Sequence, residues 1–97
     1  MEEINMATRH NIVTLWDEST RLSPAGIHSG TDITIQNLDG ANPIYLGGSD
    51  VNSTIFGYRL APGSAISFEL PGTDAIYGYS DYEINVAVLM TNLEVGN

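Results

Sequence analysis

The sequence predicts an all-β chain, a small antiparallel β-sandwich or jelly-roll-like barrel of about six to eight short strands with an N-terminal arm. Three observations carry that prediction. Apolar and polar residues alternate with a period of two. Gly, Pro, Asn and Asp interrupt the alternation at intervals of roughly eight to twelve residues. No long stretch repeats with the period of a helix. At 97 residues the chain matches one domain of ordinary size, and it should bury only about 60–70% of its unfolded surface. Contact with neighbouring subunits would therefore add to a modest stability.

The elements follow in order. Asn11–Trp16 (NIVTLW) reads as a first, short strand, with Ile12 and Trp16 on the face opposite Val13 and Leu15. Ser23–Gly30 (SPAGIHSG) is loop-forming, so residues 1–29 read as an N-terminal arm or edge-strand segment and residues 30–97 as the β-sandwich domain. Thr31–Leu38 places Ile33 and Ile35 on one face and Thr34 and Gln36 on the other. Asp39–Gly40 supplies residue types that tolerate positive φ, so Pro43–Gly47 is expected to return as the hairpin partner, with Tyr45 as its central aromatic. The segment from Gly47 to Gly57 reads as a long connection with one short strand around Thr54–Phe56, and as the functional loop. Ala61–Ser64 and Leu70–Thr73 both put Pro second and Gly third, the preference of a type II turn. Between them Ser64–Leu70 turns Ile66, Phe68 and Leu70 to one side and Ser67 and Glu69 to the other. Ala75–Tyr79 follows, with Tyr77 and Tyr79 expected to share a face and complete the core. Glu83–Met90 then offers Ile84, Val86, Val88 and Met90 to one face and Asn85, Ala87 and Leu89 to the other.

Charge excludes several function classes. The chain has no lysine, three arginines and twelve acidic residues, for a formal charge of −9. Phosphate neutralisation is out of reach, so no nucleic acid is expected as partner, and anionic membranes are disfavoured for the same reason. The Met1–Glu2–Glu3 start has no basic n-region, and no run approaches the ~18 apolar residues of a membrane span. Synthesis in the cytoplasm as a soluble protein is the expectation.

No residue set carries catalysis. The histidines are His10 and His28, there is no cysteine, and neither Gly-x-Ser-x-Gly nor Ser-x-x-Lys occurs. Two histidines without cysteine do not make a zinc site. Asp39, Asp50, Asp74 and Asp81 sit in turns without EF-hand spacing, where aspartate caps backbone amides. No phosphate-cradling glycine motif is present. The expectation is no enzyme, no cofactor and no metal. Residues expected to bind a partner are Ile12, Val13, Leu15, Trp16, Ile55, Phe56, Tyr82 and Leu89, apolar groups on the arm, in the long loop, beside Asp81 and on the second face of the last strand. A carbohydrate-binding module is the competing reading, since exposed tyrosines serve as stacking platforms.

The run DITIQNLDGANPIYLGGSDVNSTIFGYRLAPGSAISFEL, followed by DAIYGYS and INVAVLM, resembles a small β-domain family of bacteriophage virion structural proteins. That family is similar in its succession of ITIQN, a short turn, NPVYLGG, G-x-x-L-x-PG, an alternating strand, LYA and V-x-VL. The resemblance covers Thr31 to Leu89, and Ser19–Leu22 resembles the preceding segment. Its shared positions, Asn37, Asn42, Pro43, Gly47, Gly48, Gly57, Pro62 and Gly63, are turn formers and specify fold more than function. The resemblance implies a virion protein made in the host cytoplasm, a capsid decoration or head accessory protein or alternatively a tail or fibre accessory. Its partner would be the major capsid protein or another virion protein, with homo-oligomerisation. Ile55–Phe56 and Asp81–Tyr82 depart from the family pattern and are read as contacts particular to this chain.

Overall fold

The computed structural model describes residues 4–23, 31–71 and 74–96, with side chains described for 8–23, 31–71 and 74–91. Eight strands occur among them: β1 (Ile4–Leu15), β2 (Thr20–Arg21), β3 (Thr31–Asn37), β4 (Ile44–Gly47), β5 (Tyr58–Leu60), β6 (Ala65–Leu70), β7 (Tyr77–Tyr79) and β8 (Ile84–Gly96). They form two four-stranded antiparallel sheets in the orders β1-β8-β3-β6 and β2-β7-β4-β5. The pairs nest: β1 with β8, β2 with β7, β3 with β6 and β4 with β5. Two antiparallel ribbons are thus each bent across from one sheet to the other, which is the jelly-roll form of a β-sandwich.

Alternation determines what lies between the sheets. Ile33 and Ile35 of β3, Val86, Val88 and Ile84 of β8, Leu15 of β1, and Ile44, Leu46 and Leu60 of β4 and β5 meet in one core, with Leu22, Leu70 and Met90 at its margins. Phe68 and Ile66 of β6 pack against it from the sheet edge, half-buried. Burying such side chains is worth about 1.5–3 kcal/mol each.

The Asp39–Gly40 hairpin expected between β3 and β4 does not form. Neither residue has positive φ, and β4 pairs with β5 and β7 in the second sheet, not with β3. The cause is a polar clamp at the bend. Asn37 is fully buried; its Nδ2 donates to the carbonyls of Asn42 at 2.9 Å and Leu60 at 3.2 Å, while its Oδ1 accepts from the Asp39 amide at 2.9 Å. Asp39 Oδ2 then accepts from the amides of Ala41 at 2.9 Å and Asn42 at 2.6 Å. These bonds satisfy the backbone where it leaves one sheet for the other.

The type II turn at Ala61–Ser64 is present. Gly63 has φ +75, and the Ser64 amide donates to the Ala61 carbonyl at 3.1 Å. Gly72 and Thr73 of the second expected turn lie outside the described residues, as do His28 and most of Ser23–Gly30. The strand expected at Thr54–Phe56 is absent; the chain there is a loop, and the strand begins at Tyr58. Of residues 1–29, the described part, 4–23, forms edge strands in both of the chain's own sheets and sends Leu15 and Leu22 into the core. The described part of that segment therefore shares one core with the strands from Thr31 onward.

Candidate protein-docking surfaces

Eight residues were expected to meet a partner, and the structure separates them. Leu15 is a correction: its relative exposure is 0%, because the β1 pleat that turns Ile12 outward turns Leu15 inward beside Ile84, its register partner. Val13 follows it and packs against the core. The remaining six, Ile12, Trp16, Ile55, Phe56, Tyr82 and Leu89, are exposed large hydrophobic side chains. They fall in three places.

The first is the outer face of the β1-β8-β3-β6 sheet. His10 and Thr34 flank Leu89, and Ile12 and Gln36 flank Ala87, as cross-strand partners. Two polar pairs lie on this face: Thr14 Oγ1 donates to Asn85 Oδ1 at 2.7 Å, and the Thr34 and Ser67 hydroxyls share a 2.7 Å bond. The apolar part is small and sits on rigid strands.

The second is the 48–57 loop. Asn52 Oδ1 accepts from the Thr54 amide and hydroxyl and from the Ile55 amide at 2.8 to 2.9 Å, while the Asn52 amide donates to the Ile55 carbonyl. This tight turn holds Ile55 outward. Val51 is buried against Gly47, where an added β-carbon would stand 3.2 Å from Val51 Cγ2, so Gly47 is what lets the loop lie on the sheet. Phe56 leans on Tyr45 with ring centroids 4.9 Å apart, and Ser19 Oγ donates to the Ser49 carbonyl at 2.6 Å.

The third is the bend of the β1–β2/β7–β8 ribbon. Asp17 has φ +60 there, and its amide donates to the Ser80 carbonyl at 2.8 Å. Between Leu15 and Asp17 stands Trp16; between Ser80 and Ile84 stand Asp81, Tyr82 and Glu83. Trp16 is 58% and Tyr82 59% exposed. Ser80 is buried and its Oγ accepts from the Tyr82 amide at 3.0 Å. The Tyr79 hydroxyl reaches Asp17 Oδ1 at 3.4 Å; desolvation first, then the carboxylates of Asp81 and Asp17, push its pKa above the ordinary phenol value.

The tyrosines correct a second expectation. Gly78, not Tyr77 or Tyr79, is the buried residue of β7, and both tyrosines stand half-buried on the outer face of the second sheet. There Tyr79 and Arg59 flank Tyr45, and Arg21 is the register partner of Tyr77. Tyr58 and Leu38 are exposed as well and were missed: Leu38 reads as strand interior, and the inward turn of Asn37 just before it had no signal in the alternation. Among the described residues no three His, Cys, Asp or Glu side chains are placed to hold a metal ion, and His10 is exposed on the first sheet's outer face.

The chain matches no protein-family model, and no curated protein matches its sequence.

Proposed function

We propose that this chain is a non-catalytic structural protein of a bacteriophage virion, a capsid decoration or head accessory protein that docks on the assembled shell through protein contacts. The observation that carries the reading is the exposure of Ile12, Trp16, Ile55, Phe56, Tyr82 and Leu89 on strands and hydrogen-bonded turns. Large apolar groups held rigidly in water are a cost to a free monomer and a ready interface for a partner. The resemblance of Thr31–Leu89 to virion β-domains is what suggests a virion as the setting. Jelly rolls serve in viral capsid and lectin domains alike, an analogy of fold that supports but does not assign function. The partner is the major capsid protein or another virion protein, and homo-oligomerisation accompanies docking.

The test is sedimentation of the purified protein with heads, with tails and alone. Co-sedimentation with heads is expected, and its loss in a Trp16→Ala/Ile55→Ser/Leu89→Ser variant that still folds. Binding to tails alone selects the tail or fibre accessory role. A monomer that binds neither ends the virion reading. The outer face bearing Tyr45, Tyr77 and Tyr79 beside Arg21 and Arg59 favours a second reading, carbohydrate binding, since tyrosine faces stack on sugar rings. Glycan-array binding lost in Tyr79→Ser would establish it.

A further inference from the structure

We propose that the ribbon bend formed by Trp16–Glu18 and Ser80–Glu83 docks a positively charged, arginine- or lysine-bearing segment of the partner protein. The inference rests on the protein-docking reading and names the chemistry of its partner.

The two exposed rings of this bend belong to one structural unit. The Asp17–Ser80 backbone bond ties Trp16 to the three-residue excursion that carries Tyr82, so both rings stand on the same corner of the sandwich and more than half of each is open to water. Aromatic faces left open in this way attract a cation as well as apolar surface. Every charged group of the two segments is a carboxylate: Asp17 and Glu18 follow Trp16, and Asp81 and Glu83 flank Tyr82. All four are exposed. The neighbouring loop, tied on by the Ser19–Ser49 bond, adds Asp50 and no cation. The three arginines, Arg9, Arg21 and Arg59, lie on strands outside the bend. Desolvation first, and then the Asp81 and Asp17 carboxylates, hold the neighbouring Tyr79 hydroxyl above its ordinary pKa.

Charge complementarity decides among occupants. A second copy of the chain would bring the same carboxylates, and like charges set against each other across an interface repel. A purely apolar partner would leave the carboxylates desolvated and unpaired. A guanidinium or ammonium on a protein segment satisfies both halves of the surface, lying against a ring while pairing with the acids at its rim.

Trp16 is the single tryptophan of the chain, so its fluorescence reads the site directly. The full chain is titrated with a short peptide alternating arginine and serine, and with its glutamate counterpart. Saturable change is expected with the arginine peptide alone, weakening as salt is raised. Glu18→Gln/Glu83→Gln spares the carboxylates near Tyr79 and should lower the affinity about three- to tenfold. Asp32→Asn/Glu69→Gln changes the net charge equally on the first sheet's outer face, where the two are register partners, and should alter affinity less than about twofold. Equal losses in the two pairs would mean that the peptide senses only the net charge of −9 and would overturn the site, as would the absence of saturation. Head sedimentation separates the two readings. A wild-type chain that takes the arginine peptide at the bend yet ignores every particle removes the virion role alone, whereas a Glu18→Gln/Glu83→Gln chain that binds heads as tightly as wild type removes the bend as the docking site.

Discussion

Gly78 lies against the ends of Leu15 and Leu22: a β-carbon on it would stand 2.9 Å from Leu15 Cδ1 and 3.0 Å from Leu22 Cδ1. Both leucines are core residues, so their ends must repack against the core to admit it. Gly78→Ala is expected to cost about 1–3 kcal/mol, the range for overpacking, even though alanine is the better strand residue. Urea unfolding checks it. Shortening Leu22 in a Gly78→Ala/Leu22→Val chain should recover part of the loss, and an additive result would mean that the close approach is not the cause.

How much of this was legible turns on what alternation encodes. In β3 and β6 the two faces differ sharply in polarity, and the sequence identifies which side of Ile33 or Phe68 is inward. It carries no information about which sheet a strand joins, because both sheets share one core; β4 was therefore placed beside β3. Leu15 was misplaced among docking residues because NIVTLW is apolar on both faces. Tyr77 and Tyr79 were misplaced because the core-facing residue between them is the smallest possible, and only the three-dimensional position of Leu15 and Leu22 explains why. Trp16, Ile55, Phe56 and Tyr82 were legible as exposed because charges or turn formers flank them.

The share of the core supplied by the first third predicts the fate of a truncated chain. Removing residues 1–29 deletes Leu15 and Leu22, about 1.5–3 kcal/mol of burial each, and bares the β8 edge along its whole pairing with β1. Against a total stability of order 5–15 kcal/mol for a small domain, the remainder should lose its cooperative thermal transition. A truncated chain with wild-type circular dichroism and a sharp melt would show that residues 30–97 fold on their own.

At Gly63 the backbone, not space, sets the cost of substitution. Its φ is +75 and no atom lies within 4 Å of a built β-carbon. Gly63→Val should therefore lose about 1–3 kcal/mol through conformational strain, and Gly63→Asn clearly less, since asparagine tolerates the left-handed region. Equal melting temperatures for the two variants would contradict this assignment.

Asn37 is the buried polar hinge of the β3–β6/β4–β5 ribbon, and nothing apolar can replace its bonds to Asn42, Leu60 and Asp39. Asn37→Leu takes these bonds from two carbonyls and an amide; the Leu60 bond is buried and the Asn42 and Asp39 bonds part-buried, and a buried group left unsatisfied costs roughly 1–3 kcal/mol. The expected loss, about 2–5 kcal/mol, is in the range of the most damaging single substitutions. Hydrogen exchange should show it first at the amides of residues 38–42 and of Ala61, Gly63 and Ser64.

Asp39 gives the same bend a dependence on pH. The Ala41 amide, then the Asn42 amide, hold its carboxyl below the ordinary carboxylate pKa, against a smaller opposing effect of desolvation. A depressed folded pKa means that between the folded and unfolded values the native chain binds fewer protons than the unfolded one. The stabilisation from Asp39 is therefore complete above its unfolded pKa and is lost as pH falls through the folded pKa. Acidification also relieves repulsion in a chain of net charge −9, which works the other way, so the wild-type curve alone does not isolate the effect. The difference between wild type and Asp39→Asn does, since asparagine keeps a carbonyl acceptor but has no proton to bind. Wild type should be the more stable at neutral pH, and its advantage should shrink steadily below the normal carboxylate pKa. An advantage that stays constant from neutral pH into the acid range would mean that the Ala41 and Asn42 amides do not favour the charged carboxylate over a neutral acceptor.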